Sequence, residues 1–370
     1  MLVRSLALGN YRNYESLELD TNHKVNIFVG RNAQGKTNLL EAIFVLALTK
    51  SHRTSKDKEL IGWEDSTAQL KAVVERKYGP CTLDLSISRQ GKKAKLNGLE
   101  QRKLSGFIGS LNVVMFAPED LEIVKGGPSV RRRFLDMEIG QVQPSYLYHL
   151  QQYQKVLVQR NNLLKQMWNE KGKTSHAMLE IWNEQLADNG VKIVKKRKQY
   201  LKKLQIWAEQ IHAGITNGQE QLNIEYVPSF SAQVDDDAVL FEQFMLKLTQ
   251  MNDQEVRRGI TLVGPHRDDL TFFINGKEVQ TYGSQGQQRT TALSLKLAEI
   301  ELMHEEIGEY PVLLLDDVLS ELDAYRQTQL IETFQDKVQT FITTTGIEGI
   351  HTNKLQDANV FHVESGQVKR

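Results

Sequence analysis

Gly30-Arg31-Asn32-Ala33-Gln34-Gly35-Lys36-Thr37 is the stretch that decides the fold. The apolar run Val25-Asn26-Ile27-Phe28-Val29 leads into it, and residues 38–48 behind it carry apolar side chains at helical spacing. A glycine at each end, then Lys-Thr, between a strand and a helix is the arrangement of a phosphate-binding P-loop. Gly30 and Gly35 let the backbone curl so that consecutive N–H groups converge on phosphate oxygens. The helix opening near Lys36 adds the positive end of its dipole. Lys36 then reaches the β- and γ-phosphates of ATP, and the Thr37 hydroxyl holds Mg²⁺. Residues 30–37 are therefore assigned to nucleotide, with a catalytic part for Lys36 and a metal-binding part for Thr37.

A second anion site is predicted far downstream. Ser284-Gln285-Gly286-Gln287 precedes a long helical run, residues 290–303, so a serine and a glycine sit at a helix N-terminus. Val312-Leu313-Leu314-Leu315-Asp316-Asp317 follows as a buried strand that ends in two carboxylates. In a P-loop protein this is the Walker B element, in which Asp316 supports Mg²⁺ and Asp317 polarises water. Ser320-Glu321-Leu322-Asp323 and a further strand, residues 338–343, come next.

Bulk properties narrow the class. The 46 basic and 46 acidic side chains cancel, so any nucleic-acid site must be a local patch. A single cysteine, Cys81, excludes an intramolecular disulfide and a cysteine-based zinc site. No signal-peptide core is read at the start, and the longest apolar run, residues 42–48, is too short to span a bilayer. The expectation is a cytoplasmic protein without membrane contact.

Along the chain, residues 1–30 predict two or three short strands, with Arg12 in a turn close in sequence to the P-loop. Arg12 is either a solvated loop charge or a side contact to the nucleotide. Residues 69–102 alternate, and Asn97-Gly98 marks a hairpin, which predicts an antiparallel sheet. Residues 112–116 predict a strand that ends at Pro118-Glu119-Asp120. From Pro144 the apolar positions step by three and four, break around residues 172–175 and resume to 211: a helical hairpin. Its second helix has no acid between Asn189 and Ala208, while Lys192, Lys195, Lys196, Lys202 and Lys203 share one face. Such a stripe is either a solvated face or one that tracks phosphates along DNA. His266, beside Asp268 and Asp269, is expected in a structural hydrogen-bonded corner.

These motifs together resemble an ABC-type ATPase: Ser284-x-Gly286-Gln287 is similar to its signature, Asp316-Asp317 to Walker B and Ser320-Glu321-Leu322-Asp323 to its D-loop. The helical insert between P-loop and signature is similar to that of SMC heads. The closest resemblance is to the RecF family of bacterial recombination mediators. It rests on Leu8-Gly9-Asn10-Tyr11-Arg12-Asn13, residues 30–37, Phe116-Ala117-Pro118-Glu119-Asp120-Leu121, Arg131-Arg132-Arg133-Phe134-Leu135-Asp136, Gly264-Pro265-His266-Arg267-Asp268-Asp269 and residues 315–323.

The resemblance implies an α/β fold, an ABC-type P-loop ATPase head with a helical insert. Residues 1–105 and 255–370 would form the ATPase lobe, and residues 106–254 a helical lobe with a hairpin arm at about 145–211. It also implies an ATP-dependent head-to-tail homodimer, in which the P-loop of one copy faces Ser284, Gly286 and Gln287 of the other. DNA at single-strand/double-strand junctions, RecR and RecO are the implied partners, in DNA repair and replication restart. Asp317 stands where ABC transporters carry glutamate, which implies slow hydrolysis. Thr343-Thr344-Thr345 stands at the switch-histidine position. An ATPase subunit of a nuclease or of an SMC-like complex is the alternative.

Overall fold

The computed structural model describes residues 1–169, 176–232, 235–321, 327, 337–346 and 358–370. The expected break at 172–175 and, from the Ser-Glu-Leu-Asp element, Leu322 and Asp323 lie outside the described residues. In chain order the strands and helices are β1 (Leu2–Tyr11), β2 (Tyr14–Asp20), β3 (Val25–Val29), α1 (Lys36–Leu48), β4 (Thr67–Arg76), β5 (Gly79–Ser88), β6 (Gly91–Leu96), β7 (Leu99–Glu100) and β8 (Val113–Phe116). Then come α2 (Leu121–Lys125), α3 (Pro128–Val142), α4 (Pro144–Asn169), α5 (His176–Ile215), β9 (Leu222–Val227), α6 (Asp237–Arg258), β10 (Asp269–Ile274), β11 (Lys277–Glu278) and α7 (Val279–Tyr282). The chain continues with α8 (Gln285–Ile307), β12 (Val312–Asp316), β13 (Thr340–Thr344), β14 (Asn359–Glu364) and β15 (Gln367–Lys369).

Two compact units result. The first comprises Met1–Leu121, Gln210–Gly218 and Ala292–Arg370, and the second Glu122–Glu209 and Gln219–Thr291. This corrects the boundaries expected from sequence. β8, assigned to the helical lobe, pairs in parallel with β12, Val113 opposite Val312, and its four residues are buried in the first unit's sheet. Conversely, β10, β11 and the Ser284–Gln287 loop belong to the second unit, because β10 pairs with β9.

In the first unit, β15-β14-β3-β13-β12-β8 form one sheet, parallel apart from β15, and β2-β1-β4-β5-β6-β7 form an antiparallel one. β3, β12 and β13 are buried at every residue, as strands covered on both faces must be. β4 alternates instead, with Ala68, Leu70, Ala72 and Val74 turned inward. α1 touches β4 and β5 on one side and β8, β12 and β13 on the other. That sandwich explains why residues 39–48 are buried all round the helix. Glu41 lies in this run and is tolerated only because it is fully satisfied: Arg12 grips it bidentately at 2.6 and 2.8 Å, and Ser51 donates at 2.5 Å. Asn97-Gly98 and Asn275-Gly276 both adopt the paired positive φ that a two-residue hairpin turn demands.

In the second unit, β11-β10-β9 form a small sheet, and α4 packs against α3 and α6. α5 runs for 40 residues, about 60 Å, longer than the periodicity predicted. Leu186, Ala187, Ile193, Val194, Tyr200 and Leu204 are buried along it, so this helix is a core element.

Candidate functional site

The P-loop joins β3 to α1. Ala33 and Gly35 hold φ of 64° and 113°, the left-handed conformations that curl the loop. Gly30 is required for space, since an added Cβ would strike the Val363 carbonyl. The loop is braced from outside by contacts that sequence reading did not give, one of them from Asn13 of the Leu8–Asn13 motif. Tyr14 donates its hydroxyl to the Gly35 carbonyl at 3.0 Å, Asn13 donates to the Gln34 carbonyl, and the Ser365 amide donates to Gln34 Oε1. These contacts require the β1–β2 and β14–β15 turns to meet the loop, which no local pattern reveals.

Lys36 is buried, and its Nζ donates to the Gly30 and Arg31 carbonyls at 2.6 and 2.8 Å. Burial lowers its pKa, opposed by the nearby charges of Asp317 and Asp316. Thr37 Oγ1 donates to Asp316 Oδ1 at 2.9 Å, so the P-loop and the end of β12 meet across 279 positions of chain. Burial raises the Asp316 carboxyl, partly offset by hydroxyls donated from Thr343 and Thr37. Asp317 takes a positive φ of 54°, and its amide donates to Thr343 Oγ1 at 2.9 Å. Thr343 in turn donates to Asp316 Oδ1 at 2.7 Å. Thr343, read from the sequence at the switch-histidine position, thus joins this group through a contact with Asp316 that the sequence did not indicate. Its contact was hidden until β13 was seen lying between β3 and β12.

A hydroxyl and one carboxylate of hard oxygen type, beside a loop of converging amides, fit Mg²⁺ and a polyphosphate. Such a metal takes few protein ligands and completes its shell from phosphate and water. Arg12 spends its guanidinium on Glu41 and on the Glu59 carbonyl, 2.8 Å away. Burial pushes the Glu41 carboxyl up, but the bonds from Arg12 and Ser51 more than offset this and hold it below its usual range.

In the second unit, the exposed Ser284 precedes α8 and forms a reciprocal cap with Gln287. The Ser284 amide donates to Gln287 Oε1 at 2.9 Å, and the Gln287 amide donates to Ser284 Oγ at 3.2 Å. Gln287 Nε2 is fixed by Glu220 at 2.9 Å. Gly286, between them, adds no side chain where the first-turn amides lack helical partners.

The basic face of α5 departs from its sequence picture. The stripe is acid-free along the chain but not in space. Lys195 donates to Asp237 at 2.6 Å, Lys198 bonds Asp235, and Lys192 bonds both oxygens of Asp188 at 2.9 Å. Arg197, in the same run, is buried and holds Asp136, the Tyr146 hydroxyl and the Pro265 carbonyl. Lys202 is exposed, and Lys196 and Lys203 are partly so.

Arg131 is likewise buried, paired bidentately with Asp269 at 2.6 and 2.8 Å. His266 sits in the expected corner, bonded to the Tyr153 hydroxyl at 2.7 Å and to the Thr261 carbonyl at 3.1 Å. Burial pulls its pKa down from 6.5 to about 4. The unfolded chain therefore binds a proton between those values that the folded chain refuses, so stability falls as pH drops from 6.5 to 4. The contribution lost is about 3 kcal/mol. Urea midpoints of His266→Gln should flatten across this window relative to the parent protein; parallel curves would overturn the assignment.

Comparison with known proteins agrees with this geometry. The family model for the RecF/RecN/SMC N terminal domain matches residues 2–369. The DNA replication and repair protein RecF of Bacillus cereus (strain G9842) is 56% identical over 369 residues, covering 100% of this chain and 98% of that protein. RecF of Bacillus pumilus (strain SAFR-032) is also 56% identical, covering 100% of both. Among solved structures, the recombination mediator protein RecF-ATPrS in the RecFOR pathway superposes with a TM-score of 0.92 at 36% identity, over 99% of this chain and 97% of that one. An Smc head domain from Pyrococcus furiosus, at 15% identity and a TM-score of 0.53 over 100% of this chain and 95% of that one, shares the fold alone. From the P-loop at its start to its last strands, the chain belongs to the RecF family of DNA replication and repair proteins.

Proposed function

We propose that the chain is an ATP-gated DNA-binding switch: ATP joins two copies head to tail, the dimer clamps DNA at single-strand gaps or junctions, and slow hydrolysis releases it. The observation that carries this is the Thr37–Asp316–Thr343 hydrogen-bonded group beside Lys36. A hydroxyl, a carboxylate and a buried ammonium lie close together at the P-loop, which supports nucleotide and metal binding there. Residues 30–37 would bind the polyphosphate. Thr37 and Asp316 would hold Mg²⁺, which when bound neutralises phosphate charge. Asp317 would orient the attacking water. Ser284, Gly286 and Gln287 would close on the nucleotide from the second copy, and the exposure of the Ser284 cap leaves it accessible for that role. Arg12, bonded to Glu41 of α1, is proposed to touch the nucleotide from the side. A solved RecF carries ATP and is assigned to the RecFOR pathway, which supports ATP here and RecR and RecO as partners in loading recombinase.

Lys192, Lys195, Lys196, Lys202 and Lys203 are proposed to contact the DNA backbone. ATP should tighten binding to a gapped duplex, because joining two weak faces raises their effective concentration. Replacing Lys195, Lys196 and Lys202 together with glutamine should weaken DNA binding and lower the salt slope by roughly 2–3, with nucleotide affinity unchanged. Unaltered DNA affinity in a folded variant would remove α5 from the interface.

A further inference from the structure

The acids Asp235, Asp236 and Asp237 lead into α6, whose first residue is Asp237, and reach back to α5. Asp237 takes the ammonium of Lys195 at 2.6 Å, and Asp235 takes that of Lys198, which also donates to the Ala232 carbonyl at 2.7 Å. The middle residue does something else. Asp236 caps α6, accepting from the Ala238 and Val239 amides at 3.0 Å each, and so fixes the turn to a helix that packs on α4. The two outer carboxylates are therefore presented from a rigid base.

We infer that this turn is an autoinhibitory clasp, whose carboxylates stand in for DNA phosphates on Lys195 and Lys198 until DNA displaces them. Its premise is the DNA-binding face of α5 proposed above, to which Lys195 belongs and which the clasp extends to Lys198, three residues further along the helix. The solvent exposure of the acids separates these pairs from structural ones, with Lys195 and Lys198 themselves 35% and 22% exposed. The Asp237 and Asp235 side chains are 57% and 70% exposed, whereas the Arg160–Glu255 pair of the same unit is fully buried on both sides. Exposed pairs contribute little to stability and exchange readily. What they change is the charge that α5 offers. A DNA duplex, with a phosphate charge every ~1.7 Å of axis, outcompetes two isolated carboxylates, but only after the turn gives up its hold. The clasp lowers resting affinity and leaves the lysines available once two faces act together.

The test is fluorescence anisotropy of a labelled gapped DNA duplex with the full chain, free of nucleotide. Asp235→Asn with Asp237→Asn should bind about three- to tenfold tighter than the parent protein. Asp236→Asn removes one unit of charge from the same turn, half of what the double variant removes, and keeps a competent helix cap, and should alter affinity less than twofold. Adding Lys195→Gln and Lys198→Gln to the double variant should erase its gain. An unchanged double variant, an equal gain from Asp236→Asn, or a gain that survives loss of the two lysines would each overturn the clasp. If Lys195→Gln with Lys198→Gln weakens DNA binding while the aspartate changes do nothing, only the clasp fails. If those lysine changes have no effect in either background, the DNA-binding face fails with it.

Discussion

Ser284→Arg is expected to abolish ATP-dependent self-association while leaving ATP binding by the single chain within about twofold of normal. The loop that would hold the nucleotide, residues 30–37, lies in the first compact unit, and Ser284 lies in the second. The hydrogen bonds described for the cradle run among Gly30, Arg31, Lys36, Thr37, Asp316, Asp317 and Thr343. The contacts of Ser284 include the reciprocal bonds with Gln287 and a bond from the Gln288 amide to its carbonyl, all at the start of α8. Arginine removes the hydroxyl cap, costing the helix start about 1 kcal/mol. It also puts a long side chain on the surface proposed to meet the nucleotide of the second copy. A close, hydrogen-bonded interface does not absorb that volume, and its dissociation constant should rise about a hundredfold or more, ~2.7 kcal/mol. Ser284→Ala separates the two effects, since it loses the cap without adding bulk and should weaken the dimer far less. Sedimentation velocity with a non-hydrolysable ATP analogue reads both. A normal Ser284→Arg dimer would rule out the head-to-tail arrangement.

The elements of the cradle were legible because each is local. A strand, two glycines, Lys-Thr and a helix occupy a single run of chain, and their chemistry is set by spacing that the backbone keeps. The strand-end pair Asp316-Asp317 was legible for the same reason. What joins them was not. Thr343 matters because Leu315 pairs with Ile342 and Asp316 with Thr343 in the register of β12 on β13, and register is decided by the whole sheet. Charge misled most where it was read along one helix. On α5 the lysine stripe is real, but the acids that answer it come from residues 235–237, some 40 positions later, and Arg197 turns inward to Asp136. The domain boundary moved for a related reason. β8 looked like the start of the insert by its place in the chain, yet its hydrogen bonds tie it to β12. By contrast, the Asn97-Gly98 turn was predicted correctly, because the positive φ it needs is a property of those two residues alone.

Lys36→Met should cut ATP affinity roughly a hundredfold and with it every ATP-dependent property of the chain. Methionine keeps length and apolar volume, so the packing around α1 is preserved while the ammonium is lost. That ammonium donates to the Gly30 and Arg31 carbonyls. A polyphosphate offers it stronger partners, and charge-assisted bonds of this kind contribute about 1.5–3 kcal/mol each. Loss of one or two accounts for the predicted drop. Protonation matters too. Burial lowers the lysine's pKa despite Asp317 and Asp316, so affinity in the parent protein should decline as pH rises through that lowered value, and the methionine variant should show no such decline. The two variants then divide the mechanism between them. Lys36→Met fails to bind a fluorescent ATP analogue and therefore to self-associate in light scattering, whereas Ser284→Arg binds the analogue and stays single. Basal DNA binding through α5 should survive Lys36→Met, since none of the α5 lysines contributes to the cradle. If Lys36→Met still assembled with ATP, the nucleotide would have to be held elsewhere, and the pairing of residues 30–37 with Asp316 and Thr343 would lose its proposed purpose.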